Sequence, residues 1–178
     1  MTDPIEKQVG EYLLVAGLKL CLAESCTGGL IAHRITNVPG SSEYFLAGVV
    51  AYSYEAKETL LGVRKSTLSR YGAVSGETVL EMARGVRKKM QRQFPFERTV
   101  AVSVSGIAGP GGGLPGKPVG LVWIGLSTPD GNQAYQFIGN GTREENKAFS
   151  AQKALEVLLE YLKQNEKDSN KHPQYPQN

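Results

Sequence analysis

Cysteine and histidine are almost missing from this chain. Two cysteines (Cys21, Cys26) and two histidines (His33, His172) are all that 178 residues hold. So few cysteines exclude a disulfide scaffold and a cysteine-rich zinc site. His172 falls in a polar stretch, residues 165–178, broken by Pro173 and Pro176 and expected to be disordered. That leaves His33 alone, too little for a histidine-based triad or metal centre, so neither metal nor cofactor is expected. Long apolar runs are lacking too. Nothing approaches the ~18 residues of a membrane span, and the opening MTDPIEKQVG lacks the basic-then-apolar order of a signal peptide. A cytoplasmic location is expected, with no membrane partner. Charge of one sign is also scarce. Twenty basic against 17 acidic side chains give +3, a small excess that does not predict a nucleic-acid partner, which would need a clustered basic face.

What is present is an ordinary globular composition, 40% hydrophobic and 21% charged, on a chain long enough for one core without staples. Residues 1–164 are expected to form a single domain. Asp3-Pro4 reads as a helix start, with a capping side chain and proline in the first turn. Ile5, Val9, Leu13 and Ala16 then recur at helical spacing until Gly17. Residues 18–23 and 47–52 read as short buried strands. Residues 26–36, 53–61 and 75–91 read as helices. Val100, Val102 and Val104 alternate with small residues in a strand over 98–105. Strands 119–127 and 133–138 flank Thr128-Pro129-Asp130-Gly131 as a hairpin. Thr142 and Glu145 form a capping box that opens the last helix. Helices alternate with strands early and a hairpin comes late. The fold class predicted is therefore α/β, a mixed and mostly buried sheet flanked by helices.

Three segments carry the chemistry. The loop over residues 106–117 is dominated by Gly and Pro. Its Gly111, Gly113 and Gly116 satisfy G-x-G-x-x-G, and Gly111 to Lys117 satisfies most of a P-loop. Both motifs need a helix after the loop to supply the anion site. A strand follows here, so both are rejected. The loop is either a plain connection or a backbone nest for an anion. The second segment is Ala23-Glu24-Ser25-Cys26-Thr27-Gly28-Gly29, at a strand-to-helix corner. Ser25 there is either a helix cap or a nucleophile, and the glycine pair suggests close backbone approach. Cys26 lacks a local base or cation to activate it. The third is Ala51-Tyr52-Ser53-Tyr54-Glu55-Ala56-Lys57. Lys57 is either a solvated helix lysine or, with histidine so scarce, the base for a serine. In the second case it must be made neutral by burial, with Tyr52 to relay protons, and Glu24 and Glu55 must stay off its amine.

The stretches AESCTGG (residues 23–29), PGSSEYF (39–45), GVVAYSYEAKETLLGV (48–63), YGAVS (71–75) and SVSGIAGPGGG (103–113) resemble the CinA family. The likeness is to its C-terminal amidohydrolase domain, over about residues 5–163 and in the family's order. It resembles the form that stands without the molybdopterin-binding-like domain many relatives carry. The resemblance implies hydrolysis of nicotinamide mononucleotide to nicotinate mononucleotide and ammonia, within pyridine-nucleotide recycling. It implies a serine–lysine mechanism with a tyrosine, matching Ser25, Lys57 and Tyr52. Ser42, in the PGSS motif, is a fourth member and a rival nucleophile. Thr27, Gly28 and Gly29 would supply oxyanion amides, and Ser105, Gly106, Gly109, Gly111 and Arg143 would line the nucleotide. Where the family commonly has a second arginine in the last helix, this chain has Lys147, which cannot grip phosphate bidentately. A homodimer is the expected assembly. The rival reading is a nucleotide-binding protein without turnover, linked to competence or the DNA damage response. A phosphatase is disfavoured because no carboxylate cluster is placed to hold magnesium.

Overall fold

Alternation along the strands decides which way each face of the sheet looks. The computed structural model describes residues 3–171, with side chains to residue 166. In β1 (Lys19–Glu24), Leu20 and Leu22 join one apolar cluster while Cys21 and Ala23 join another. In β3 (Thr99–Gly106), Val100, Val102 and Val104 go to the first cluster and Ala101 to the second. This is the two-residue period of a strand buried on both faces. Between β1 and β3 in sequence comes β2 (Phe45–Val50), and β4 (Leu121–Thr128) and β5 (Gly131–Ile138) follow as the hairpin. The sheet order is β2-β1-β3-β4-β5. β1 runs parallel to β2 and β3, while β4 runs antiparallel to both of its neighbours, β3 and β5. The predicted α/β fold with a mixed sheet is the one observed.

On the side of the large residues lie α1 (Ile5–Ala16), α2 (Leu30–Thr36) and α6 (Arg143–Lys171). On the side of the small ones lie α3 (Tyr54–Leu61), α4 (Lys65–Tyr71) and α5 (Gly76–Met90). Small residues there let α5 approach the backbone closely. Ser103 Oγ donates to the Val79 carbonyl at 2.6 Å. A Cβ on Gly125 would stand 2.5 Å from that same carbonyl oxygen.

Several boundaries move from those predicted. The second helix begins at Leu30 rather than residue 26, because Gly28 and Gly29 take φ of +64° and +99°, outside the α region. The second strand is two residues earlier than expected, ending at Val50, so Tyr52 lies in the corner before α3. Ser53 caps α3, accepting from the Ala56 amide at 3.1 Å. Asp3 does not cap α1. Its carboxylate accepts from Lys7 Nζ at 2.9 Å, and Pro4 holds the cap position without a side-chain bond. The α4 helix was not foreseen. The box at Thr142 forms as expected, the Thr142 amide donating to Glu145 at 2.7 Å and the Glu145 amide to Thr142 Oγ1 at 3.4 Å. α6 runs on to Lys171, past the boundary placed at 164. The rest of the predicted disordered stretch, with His172, lies outside the described residues.

Candidate active site

The carboxyl ends of β1, β2 and β3 meet at one edge of the sheet, where ligands gather in open parallel sheets. Ser25 follows β1 directly, its amide donating to the Val104 carbonyl of β3 at 3.0 Å. It is not the helix cap. That place is taken by Glu24, a carboxylate only 1% exposed. Glu24 accepts from the amides of Gly29 (3.0 Å), Ile31 (3.1 Å) and Ala32 (2.8 Å) and from Thr27 Oγ1 (2.7 Å). A negative charge at a helix start is favourable electrostatically, and those amides need acceptors in any case. With the cap supplied by its neighbour, the Ser25 hydroxyl is left for other work. The one sequence signal for Glu24 was a lone carboxylate closing the apolar run Leu20-Cys21-Leu22-Ala23.

That hydroxyl meets Lys57. In the first turn of α3 the lysine is 1% exposed, and its Nζ donates to Ser25 Oγ at 2.9 Å, the Ala51 carbonyl at 2.8 Å and the Tyr52 carbonyl at 3.1 Å. No carboxylate pairs with it among the described residues. Glu24 is occupied by α2, and Glu55 takes hydrogen bonds from its own backbone and Ser53. Burial without a counter-charge brings the amine down from 10.5 to about 8, and the Cys26 thiol nearby opposes this slightly. A neutral amine here keeps two N–H groups for the two carbonyls and a lone pair for the Ser25 proton. Cys26 is itself buried, and burial pushes its thiol up to about 11, far from a thiolate.

Tyr52 is placed differently from the sequence expectation. Its side chain is 58% exposed, and its hydroxyl accepts from Arg143 Nη2 at 2.8 Å. Only its carbonyl touches Lys57. Arg143, first residue of α6, also donates through Nη1 to the Gly109 carbonyl at 2.7 Å, tying the β2–α3 corner to the glycine loop. Lys147, one turn on, holds its Nζ 3.9 Å from where a Cβ on Gly28 would stand. The oxyanion expectation narrows. The Gly28 amide donates to the Ser25 carbonyl at 3.0 Å and the Gly29 amide to Glu24, which leaves the Thr27 amide. Ser105 and Gly106 close β3 within the sheet, and Gly111 is exposed in the loop.

Ser42 is not brought to this site. It is exposed, in a 3-10 turn (Ser41–Glu43) before β2. Ser25 lies at the other end of that strand, and five residue steps at ~3.3 Å already separate the two ends by about 16 Å. A residue that sequence reasoning missed is Asn146. It is 3% exposed and stitches α6 to the loops, donating to the Ala108 carbonyl at 3.1 Å and the Gly141 carbonyl at 2.9 Å and accepting from the Gly141 amide at 3.1 Å. Among the described residues no three His, Cys, Asp or Glu side chains converge as metal ligands.

The family model of the CinA C-terminal domain matches residues 2–162. The chain belongs to the CinA family. A CinA-like protein of Desulforapulum autotrophicum is 50% identical over 156 residues, which is 86% of this chain and 35% of that protein. A CinA superfamily protein from Klebsiella pneumoniae superposes with a TM-score of 0.83 at 32% identity, covering 90% of this chain and 96% of that one. The competence/damage inducible protein CihA from Agrobacterium tumefaciens gives 0.78 at 38% identity, covering 92% and 99%. The chain spans about a third of the length of the curated CinA relatives it matches. No helix among the described residues is long and apolar enough to cross a membrane.

Proposed function

We propose that this CinA-family chain hydrolyses the carboxamide of nicotinamide mononucleotide, giving nicotinate mononucleotide and ammonia, with Ser25 as nucleophile and Lys57 as base. The observation that carries the reading is the buried 2.9 Å contact between Lys57 Nζ and Ser25 Oγ, together with an amine brought down to about 8 by burial. Both distance and basicity suit a general base near neutral pH. Ser25 Oγ attacks the carboxamide carbon as its proton passes to Lys57. The oxyanion that forms draws on the Thr27 amide. Collapse breaks the C–N bond, the leaving nitrogen takes the proton from Lys57, and ammonia departs. Water then gives a proton to Lys57 and its oxygen to the acyl-serine, releasing the carboxylate and restoring Ser25. The substrate half of the reading rests on the motif resemblance, and Arg143 and Lys147 at the rim suit a phosphate.

The relatives' names speak of competence and damage induction, which favours a second reading, a nucleotide-binding protein without turnover. Ammonia release separates the two. Purified chain given nicotinamide mononucleotide should release ammonia and nicotinate mononucleotide in equal amounts. Ser25→Ala should lose a factor of about 10⁴ or more in kcat while still binding substrate, and Ser42→Ala should lose far less. Binding without ammonia in the wild type would establish the second reading. A Ser42→Ala loss as large as that of Ser25→Ala would reassign the nucleophile.

A further inference from the structure

Away from the Ser25 edge, the last turn of α3 crosses α5 in direct backbone contact, so close that a Cβ on Gly85 would stand 1.8 Å from the Leu61 carbonyl oxygen. Beside this crossing lies a cavity of about 550 Å³ whose lining includes Thr59, Gly62, Arg64, Arg84, Lys88 and Lys89. It shares no lining residue with the Ser25–Lys57 site. Its one carboxylate is Glu81, and Glu81 is already committed. It accepts from Arg64 Nε at 2.7 Å, from the Arg64 amide at 2.8 Å and from Thr67 Oγ1 at 2.8 Å, and it pairs with Arg64 Nη2. That pair is neutral as a unit. Arg84, Lys88 and Lys89 have no acidic partner among the described residues, so the cavity wall keeps three positive charges.

The helix dipole accounts for Lys88 and Lys89, which sit in the last turn of α5, where cations are favoured. It does not account for Arg84, nor for the concave wall. Arg84 and Lys88 stand four apart on one helix face, where like charges repel. A polyvalent anion in the cavity would relieve that repulsion. Arg84 offers a planar fork that fits phosphate oxygens, and the lysines offer point charges beside it. The volume, about 550 Å³, lies in the range of small-molecule sites.

We propose that the α3–α5 cavity is a second binding site, for a small molecule carrying two or more phosphate charges, with Arg84, Lys88 and Lys89 as its cationic wall. The site is independent of the amide-hydrolysis reading and survives if that reading fails. Inorganic pyrophosphate titrated calorimetrically into the full chain at low ionic strength is the test. Saturable binding is expected, weakening as salt is added. Arg84→Gln with Lys88→Gln should weaken it about tenfold or more. These side chains are exposed and outside the core, so the variant should keep its melting temperature to within a few degrees. Arg143→Ala removes the phosphate contact proposed at the other site, and it should retain the binding event that the double variant weakens. Undiminished binding in the double variant would overturn the proposal, as would loss of binding in Arg143→Ala, or no heat at millimolar pyrophosphate. A DNA duplex that competes through the same residues and binds far more tightly than pyrophosphate would overturn the small-molecule assignment.

Discussion

Lys57 concentrates at one residue the conflict between stability and chemistry. Its ammonium form is held by three oxygens but no negative charge, and burial takes the amine from 10.5 to about 8. Between those two values the unfolded chain keeps a proton that the folded chain has released. Stability from this group therefore rises as pH climbs from about 8 to 10.5 and is lost as pH falls through that window, a total of about 3 kcal/mol. Below about 8 the penalty is constant. Lys57→Met removes the titration, so the stability of the variant relative to wild type should fall by about 3 kcal/mol from pH 8 to pH 10.5. Denaturant melts at a series of pH values would read this, and parallel curves for the two proteins would show that the amine is not strained by burial. The same shift sets the rate profile. kcat/KM should rise along a limb with apparent pKa near 8 in the wild type, and Lys57→Arg, which cannot deprotonate, should be inactive. An active arginine variant with the same limb would leave Lys57 as a mere electrostatic contact.

Among the elements, α3 is the one that places Lys57, and that placement depends on the α3–α5 crossing. Alanine normally improves on glycine within a helix by about 1 kcal/mol. At position 85 the opposite should hold, because the added Cβ meets the Leu61 backbone rather than a flexible side chain. Gly85→Ala should lose about 2–4 kcal/mol, read as a lower denaturation midpoint, and should reduce kcat by tilting the helix that carries Lys57. A variant as stable as wild type would mean that α3 and α5 are free to part. The elements were largely legible in the sequence because their signals are local. Alternating valines marked β3, Thr142 and Glu145 marked the start of α6, and Ser25 and Lys57 stood at strand-to-helix corners. What was illegible depends on partners remote in the chain or on the exact turn. Nothing in Ser25-Cys26-Thr27-Gly28-Gly29 says that Glu24 folds back to cap α2 and frees the serine. Nothing near Tyr52 says that its hydroxyl will find Arg143, 91 residues away. Ser42 came from the PGSS motif of the resemblance, and nothing local in that motif says that the residue sits before β2, at the end of the strand away from Ser25.

For the molecule as a whole, the site is an assembly of chain segments that meet only in the complete fold. Ser25 comes from the end of β1, Lys57 from α3, Gly109 from the loop after β3 and Arg143 from the start of α6. The first two meet each other directly. The last two depend on α6 docking against the loops, and Asn146 is the fastening, with its hydrogen bonds to Ala108 and Gly141 at 3% exposure. Asn146→Ala would leave buried backbone groups without partners, a loss of about 2–4 kcal/mol. Its effect on turnover should be asymmetric. Ser25, Lys57 and the Thr27 amide lie on segments that Asn146 does not touch, so kcat for nicotinamide mononucleotide should stay within about threefold of wild type. Arg143 and the glycine loop would lose their register, so KM should rise about tenfold, the pattern of lost uniform binding. Steady-state kinetics at a temperature where the variant is fully folded would measure both. A fall in kcat with KM unchanged would mean that α6 acts on the reacting centre itself, and the proposed division into a catalytic edge and a binding rim would have to be redrawn.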